Sequence, residues 1–472
     1  MAAAPMLMRH SLAYLVARGV PGLLNFLAVA WLTRLLTQSE YGHYASVIAG
    51  AALLNALLFQ WLGLGVIRFW PGVQAERREG FLATLCAGYL GLVLVTGLAG
   101  GVLMWRLADP FWQGMVGCGV LLVWGQAWFE LHLELLRSEL RPRRYGLVML
   151  AKALLSVGIG VGLAYLGYGI WGVLAGVLAG MVAPVAWQSV KVFQSVRWRL
   201  IDKQLFKQLL RYGLPLTAAF SMELIVSSSN RLLLGAGQAG MYAVGYDLAK
   251  QTVGLLMYTI GLAASPLLVR SFEQSGVEAA GREMEKVLLL LLGIGLPATV
   301  GLSLLAPNLA ETLLGAPFHG AALLMPWAAV AALLFSVKEY CLNRAFQLQQ
   351  KTLRLIVPTV LAALLNLPLA AWLAGIYGAL GAVYATCIVY GAALVVTWVL
   401  AKRILPLRVP VKETAKVALS TLVMAGALFP LHTLRGAAAL LLQVLTGGAV
   451  YAGMLWATGL LKVHFWRRRQ GI

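Results

Sequence analysis

Charge is scarce in this sequence and acidic charge scarcest, with 17 Asp and Glu against 37 Lys and Arg among 472 residues. Charged residues make up 11% of the chain and apolar ones 61%, whereas soluble domains carry about 25% and roughly 45–50%. Too few polar side chains are present to cover a water-soluble core of this length, so a soluble enzyme or binding domain is excluded and lipid is the natural solvent. Cysteine is rare too. Cys86, Cys118, Cys341 and Cys387 lie far apart, within or at the ends of apolar stretches and away from His, a pattern of small buried hydrophobes rather than a disulfide framework or metal site. No His-Glu-x-x-His, P-loop, dinucleotide glycine fingerprint or nucleophile elbow occurs, and no cofactor or metal is expected. The nearest approach to a catalytic cluster is Glu130-Leu-His132-Leu-Glu134. Alternate residues do not share a helical face, but Gln126, Glu130, Glu134 and Arg137 do, and they read as a solvated or salt-bridged stripe.

What the chain does have is long apolar runs. Stretches of about 20 residues mark transmembrane helices, and they fall near 11–36, 41–67, 80–105, 111–136, 145–167, 170–194, 213–235, 239–265, 285–305, 320–341, 355–375, 379–401, 413–431 and 436–461. An all-α integral membrane protein of about fourteen spans follows. If the N-terminus, the even-numbered connections and the C-terminus share one side, that side carries 31 of the 37 Lys and Arg. The exceptions are Arg18, Arg34, Arg106, Arg231, Lys250 and Arg435. This asymmetry is the positive-inside pattern and places both termini in the cytoplasm of a multi-pass inner-membrane protein. Basic loops against anionic headgroups account for the net charge of +20, with no need for nucleic acid. The first run contains Arg18 and Pro21 and lacks a small-residue cleavage pattern, so it reads as a retained helix. The outward connections are too short for an extracytoplasmic domain; the longest is 306–319.

The chain divides near its middle. From Trp198 to Arg211, Trp198, Ile201, Leu205 and Leu209 recur at helical spacing opposite Arg199, Lys203 and Lys207, which predicts an amphipathic helix on the cytoplasmic leaflet. The expected organisation is an N-terminal lobe of six spans at 1–194, this linker at 195–211, a second six-span lobe at 212–402, and two further helices with a basic tail at 403–472. Two pairs of motifs support a duplication. Arg34-Leu-Leu followed by Tyr41-Gly-His-Tyr44-Ala is answered by Arg231-Leu-Leu followed by Ala239-Gly-Met-Tyr242-Ala. Tyr168-Gly-Ile-Trp-Gly-Val173 is answered by Tyr377-Gly-Ala-Leu-Gly-Ala382. Both copies start on the same side, so the repeat is parallel, about an axis along the membrane normal. Glycine spacing in Gly172-Val-Leu-Ala-Gly176-Val-Leu-Ala-Gly180 lets helix backbones approach closely.

Charges deep in a span cost about 2.5–3.5 kcal/mol each on insertion scales, so those retained there mark function or mutual neutralisation. Arg18, Glu223, Asp247 and Lys250 are the deep ones. Ser11, Arg18 and Asn25 repeat every seven residues along the first span; Glu223, Ser227, Asn230 and Arg231 share one face of the seventh; Asp247, Lys250 and Gln251 share one of the eighth. These faces can line a hydrated cavity in which Arg18, Lys250, Asn25 and Arg231 hold an anionic headgroup and Glu223 and Asp247 take a coupling cation. A structural pairing of Glu223 with Lys250 is the alternative.

The segments "TRLLTQSEYGHYA", "RYGLPL", "NRLLLG…AGMYAVGYDLA", "LLAPNLAETLLGAPF" and "LLNLPLAAWLAGIYGALGAVYAT" resemble those of polysaccharide-transport flippases of the multidrug/oligosaccharidyl-lipid/polysaccharide (MOP) superfamily, in the same order and to about residue 402. The resemblance implies two six-helix lobes followed by two more helices. It implies translocation of an undecaprenyl-pyrophosphate-linked oligosaccharide repeat unit from the cytoplasmic to the periplasmic leaflet, for O-antigen, exopolysaccharide or capsule, by alternating access. Arg18 occupies a place comparable to the first-helix arginine of peptidoglycan-precursor flippases. Expected partners are the lipid-linked oligosaccharide, membrane lipids, a coupling proton or sodium ion, and polysaccharide polymerase or export machinery, with the protein itself a monomer. The competing readings are a lipid II flippase, a cation-coupled multidrug antiporter, and a membrane-embedded oligosaccharide polymerase. The short outward loops weigh against the last.

Overall fold

The structure is a computed structural model describing residues 21–349 and 351–460. Among the described residues every regular element is helical. By packing the chain divides into two compact units, one ending at Gly240 and the other starting at Met241.

The first unit opens with α1 (Pro21–Leu35), then α2 (Gln38–Leu58) and α3 (Gln60–Phe69). The start of α2 is fixed by a capping box: Thr37 Oγ1 accepts from the Glu40 amide at 3.2 Å, and the Thr37 amide donates to Glu40 Oε2 at 2.9 Å. Two amides that the first helical turn leaves without carbonyl partners are satisfied in this way. Next come α4 (Arg78–Arg106) and α5 (Pro110–Ser138). Pro110 begins α5 where its missing N–H costs nothing, and the Asp109 carboxylate caps it by accepting from the Phe111 amide at 2.9 Å.

A turn at 164–168 joins α6 (Pro142–Leu163) to α7 (Gly169–Val182). The glycine row of α7 lies directly on α6. A Cβ on Gly176 would stand 2.3 Å from the Gly160 amide nitrogen, and one on Gly180 2.7 Å from the Lys152 carbonyl oxygen, so the close approach read from the spacing is realised in backbone contact. After α8 (Ala186–Ser195) the amphipathic stretch differs from expectation. Only one turn, Trp198–Leu200, stands apart; Asp202 then caps α9 (Lys203–Leu233), accepting from the Gln204 and Leu205 amides at 2.7 and 3.1 Å. The helix runs on through Gly213 and Pro215 as one element with the seventh expected span. Gly213 allows this: a Cβ there would sit 2.6 Å from that of Trp61. α9 lies along α2 and α3, with Ser221 Oγ donating to the Ala56 carbonyl at 3.0 Å and Ser46 Oγ to the Arg231 carbonyl at 3.1 Å. The core of this unit includes Trp61, Phe81, Leu85, Leu122, Phe129 and Leu209.

α10 (Ala236–Ala249) begins at the end of the first unit and continues into the second. It passes through a π-helical turn, Lys250–Gly254, into the long α11 (Leu255–Leu313), which breaks at Gly276 where φ is +76°. Then follow α12 (Met325–Val337), a second π turn at Lys338–Leu342, α13 (Asn343–Leu348), α14 (Ile356–Tyr377) and α15 (Ala379–Lys402). The last pair is α16 (Val411–Leu428) and α17 (Ala437–Ala457). It is tied to α11 by a buried amide network: Asn308 Nδ2 donates to Gln443 Oε1 at 2.8 Å, and Asn308 Oδ1 accepts from the Gly436 amide at 2.8 Å.

Among the described residues ten helices are long and apolar enough to cross a membrane. Two of them, the continuous stretches Pro142–Val190 and Ala236–Leu313, each cover two expected spans. α1 and α9 overlap the first and seventh expected spans without being among the ten. The expectation of about fourteen is consistent with this architecture. The pair of motifs at 168–173 and 377–382 shares a backbone conformation. Gly169 has φ/ψ of +53°/−134°, Gly378 of +59°/−138°, and both open the second helix of a helical hairpin. Gly381, like Gly172, is pressed on the preceding helix, a Cβ there falling 2.0 Å from the Leu373 carbonyl oxygen.

Candidate functional site

The residues expected to carry function fall on three helices and beyond. Arg18 lies outside the described residues. Asn25 is on α1 and exposed. Glu223 is on α9, in a stretch where no side-chain statement is made, and Arg231 occupies the last turn of the same helix, half-buried. Asp247, half-buried, and Lys250, exposed, sit one turn apart where α10 passes into its π turn, so these two share a face as expected. A π turn widens the helix at that point and is frequent at functional sites.

The polar stripe on α5 is better defined than the sequence implied. Glu130 accepts from Gln126 Nε2 at 2.9 Å on one oxygen and from Asn55 Nδ2 of α2 at 2.7 Å on the other. Glu134 lies 3.7 Å from the Arg137 guanidinium. His132, on another face, is buried, with Nδ1 3.0 Å from the Trp128 carbonyl and its ring edge-on to that indole. The stripe borders a cavity of about 310 Å³ within the first unit, whose lining includes Asn55, Gln60, Glu130, Glu134, Tyr145 and Lys152. Phe59, Phe129 and Met149 supply apolar wall. The Lys152 ammonium sits 4.7 Å above the Phe129 ring, a cation–π distance.

Two members of this cluster escape a reading of the sequence. Lys152 counts there as a base near a cytoplasmic loop, but the structure sets it ten residues into α6, about 15 Å along the helix. Asn55 is one amide in an apolar run, and only its 3% exposure and its bond to Glu130 give it away. Lys338 is displaced in the same sense, buried at the head of a π turn rather than in a loop. The four cysteines are all free. Among the described residues no group of three or more His, Cys, Asp or Glu could hold a metal ion.

Sequence comparison adds a family to this geometry. Residues 31–323 match the polysaccharide biosynthesis protein family. The chain belongs to that family. No curated protein sequence matches it. The fold of this polysaccharide biosynthesis protein is similar to that of the lipid II flippase MurJ in its inward closed conformation, with a TM-score of 0.78 at 13% identity over 95% of this chain and 99% of that one. An inward-facing multidrug resistance MATE family transporter of the MOP superfamily gives 0.58 at 14% identity, over 81% and 94%. A MOP superfamily transporter from Pyrococcus furiosus gives 0.54 at 16% identity, over 87% and 96%. The polysaccharide biosynthesis protein is therefore a multi-pass membrane protein with the MOP-superfamily fold.

Proposed function

We propose that the protein is a flippase that moves an undecaprenyl-pyrophosphate-linked oligosaccharide repeat unit from the cytoplasmic to the periplasmic leaflet, by alternating access, for assembly of a cell-surface polysaccharide. The observation that carries the reading is the match of residues 31–323 to the polysaccharide biosynthesis family in a chain whose fold is that of transporters. The physical task fits the composition. A pyrophosphate cannot cross hydrocarbon without cationic and hydrogen-bonding groups to replace its water. In this reading Arg18, Asn25, Arg231 and Lys250 supply them. Glu223 and Asp247 take a proton or sodium ion, and basic inner loops hold both termini in the cytoplasm of the inner membrane. The lobes are 1–194 and 212–402, joined through 195–211, with 403–472 appended. The protein acts as a monomer that delivers cargo to a polymerase or export apparatus. A lipid II cargo is the second reading, favoured by the near-complete coverage of MurJ.

The deciding experiment is lipid analysis of a host lacking the gene. Accumulation of a complete pyrophosphate-lipid-linked repeat unit on the cytoplasmic leaflet, with loss of surface polymer, is the expected result. Accumulation on the periplasmic leaflet would assign the defect to polymerisation instead. Accumulation of peptidoglycan precursor would select the second reading, and no accumulation of either lipid would overturn both.

A further inference from the structure

We infer that the crossing of α2 with the head of α10 is the outward gate of the transport path, shut by a reciprocal pair of glycines, Gly42 and Gly240. Both lie in the first unit. They hold the same place in the repeated motif, Tyr41-Gly42-His43-Tyr44-Ala45 against Ala239-Gly240-Met241-Tyr242-Ala243. Their contacts mirror each other. A Cβ on Gly42 would stand 1.6 Å from the Ala236 carbonyl oxygen and 2.9 Å from the Gly240 amide nitrogen. One on Gly240 would stand 2.3 Å from the Gln38 carbonyl oxygen and 3.0 Å from the Gly42 amide nitrogen. Each glycine thus rests on the residue four before the other, the pattern of an element meeting its own copy about a two-fold axis. Carbon atoms need about 3.5–4 Å, so a side chain at either position holds the two helices apart.

Position makes this contact a gate. In the proposed topology the connections 37–40 and 236–238 face outward, and the glycines lie in the second turn of α2 and of α10. In the α6–α7 hairpin a five-residue turn holds two glycine-packed helices together. α2 and α10 have no such tether, since α3 to α9 lie between them in the chain. Backbone laid on backbone leaves no room for water when shut, and no interlocked side chain has to withdraw when it opens. The α2 edge is firm. Glu40 caps α2 through Oε2, and its Oε1 lies against the α6–α7 turn, 2.8 Å from where a Cβ on Gly169 would fall. Two hydrogen bonds described above join α2 to α9. Ser46 Oγ reaches the Arg231 carbonyl one turn inward of Gly42, and Ser221 Oγ reaches the Ala56 carbonyl near the inner end of α2. Outward opening parts the first together with the glycines and leaves the second as pivot. α2 belongs to the first proposed lobe, and α9 and α10 to the second, so this seam must part for cargo to leave outward. The inference deepens the flippase reading and rests on its alternating access.

Two tests use the full chain, in a cysteine-free background, expressed in the deletion host. In the first, Ser46→Cys reports access through the seam to an impermeant maleimide added outside intact cells. Labelling should be slow with both glycines present and about tenfold faster with Gly42→Ala or Gly240→Ala, because neither closed contact admits a Cβ. Gly176→Leu overpacks a backbone contact away from the seam and should leave the rate unchanged. Equal rates in all four proteins overturn the inference, as does equal acceleration by Gly176→Leu. The second test keeps both glycines, so it decides the matter even where an alanine variant fails to reach the membrane. A Cβ on Gly237 meets nothing nearer than Gln38 Oε1, at 4.0 Å, so Gln38→Cys and Gly237→Cys can be bridged by a short bifunctional maleimide. Bridging should abolish surface polymer, while a monofunctional maleimide at the same cysteines should not. Full surface polymer after complete bridging overturns the gate. Accumulation of the lipid-linked unit in the deletion host, with equal labelling rates, would leave the flippase reading intact and remove this inference alone. Accelerated labelling in the two alanine variants without such accumulation would keep the gate and remove the proposed cargo.

Discussion

Among single side chains the division is between charges a hydropathy profile can find and polar atoms it cannot. Arg18, Glu223, Asp247 and Lys250 stand out because an ion in an apolar run is conspicuous and expensive. Arg18→Ala should abolish surface polymer while the protein remains in the membrane at wild-type level, as read by complementation and immunoblot of the deletion host; full complementation removes Arg18 from the cargo site. Glu223→Gln or Asp247→Asn should change the dependence of transport on proton or sodium gradients in proteoliposomes, and if neither does, these carboxylates are structural. The sequence was less informative about the α5 cavity. Lys152 follows Arg141, Arg143 and Arg144 so closely that counting loop charges absorbs it, although the helix has already begun at Pro142. Asn55 barely moves the hydropathy of its span. Their meeting with Glu130 depends on the register in which α2, α5 and α6 pack, and no single sequence segment carries that information.

The helices were legible in proportion to how local their signals are. Apolar runs and the glycine row of α7 act within a few residues, and both form as read; the Thr37–Glu40 cap, equally local, is seen in the structure. The 198–211 stretch shows the limit. Its amphipathic period was visible and placed the end of a separate linker helix at 211, where α9 in fact continues through Gly213 and Pro215. Close packing of Gly213 on Trp61 holds the helix through the break, a tertiary contact overriding local propensity. The α6–α7 hairpin yields a prediction at this scale. Gly176→Leu puts a side chain where Gly160 backbone already lies, so it should cost about 1–3 kcal/mol by overpacking, measured as a lowered melting temperature in detergent. Gly378→Ala should cost a similar amount, about 1–3 kcal/mol, for a different reason: an L-residue is strained at φ +59° and ψ −138°. Because Gly169 adopts the same conformation, Gly169→Ala should match it; a loss confined to one of the two would deny that the turns are equivalent.

For the molecule as a whole, charge asymmetry predicts topology. In a cysteine-free background, Gln238→Cys should react with an impermeant maleimide from outside intact cells, and Arg408→Cys only after permeabilisation. Both residues are exposed, and the reverse labelling would invert the orientation. The number of spans was harder to read than their positions, because helices that continue through π turns and prolines merge what hydropathy separates, as from Ala236 to Leu313. The glycine contacts of the two hairpins carry a mechanical consequence. Where backbone rests on backbone, as at Gly176 on Gly160 and Gly381 on Leu373, no side chain remains to change rotamer and absorb a displacement. Each hairpin is therefore a stiff beam. The breaks that can bend in the second unit gather in α11, which holds Pro266, Gly276, Pro297 and Pro307 against Pro368 alone in the α14–α15 hairpin, so its elastic joints and its rigid struts occupy largely separate stretches of chain.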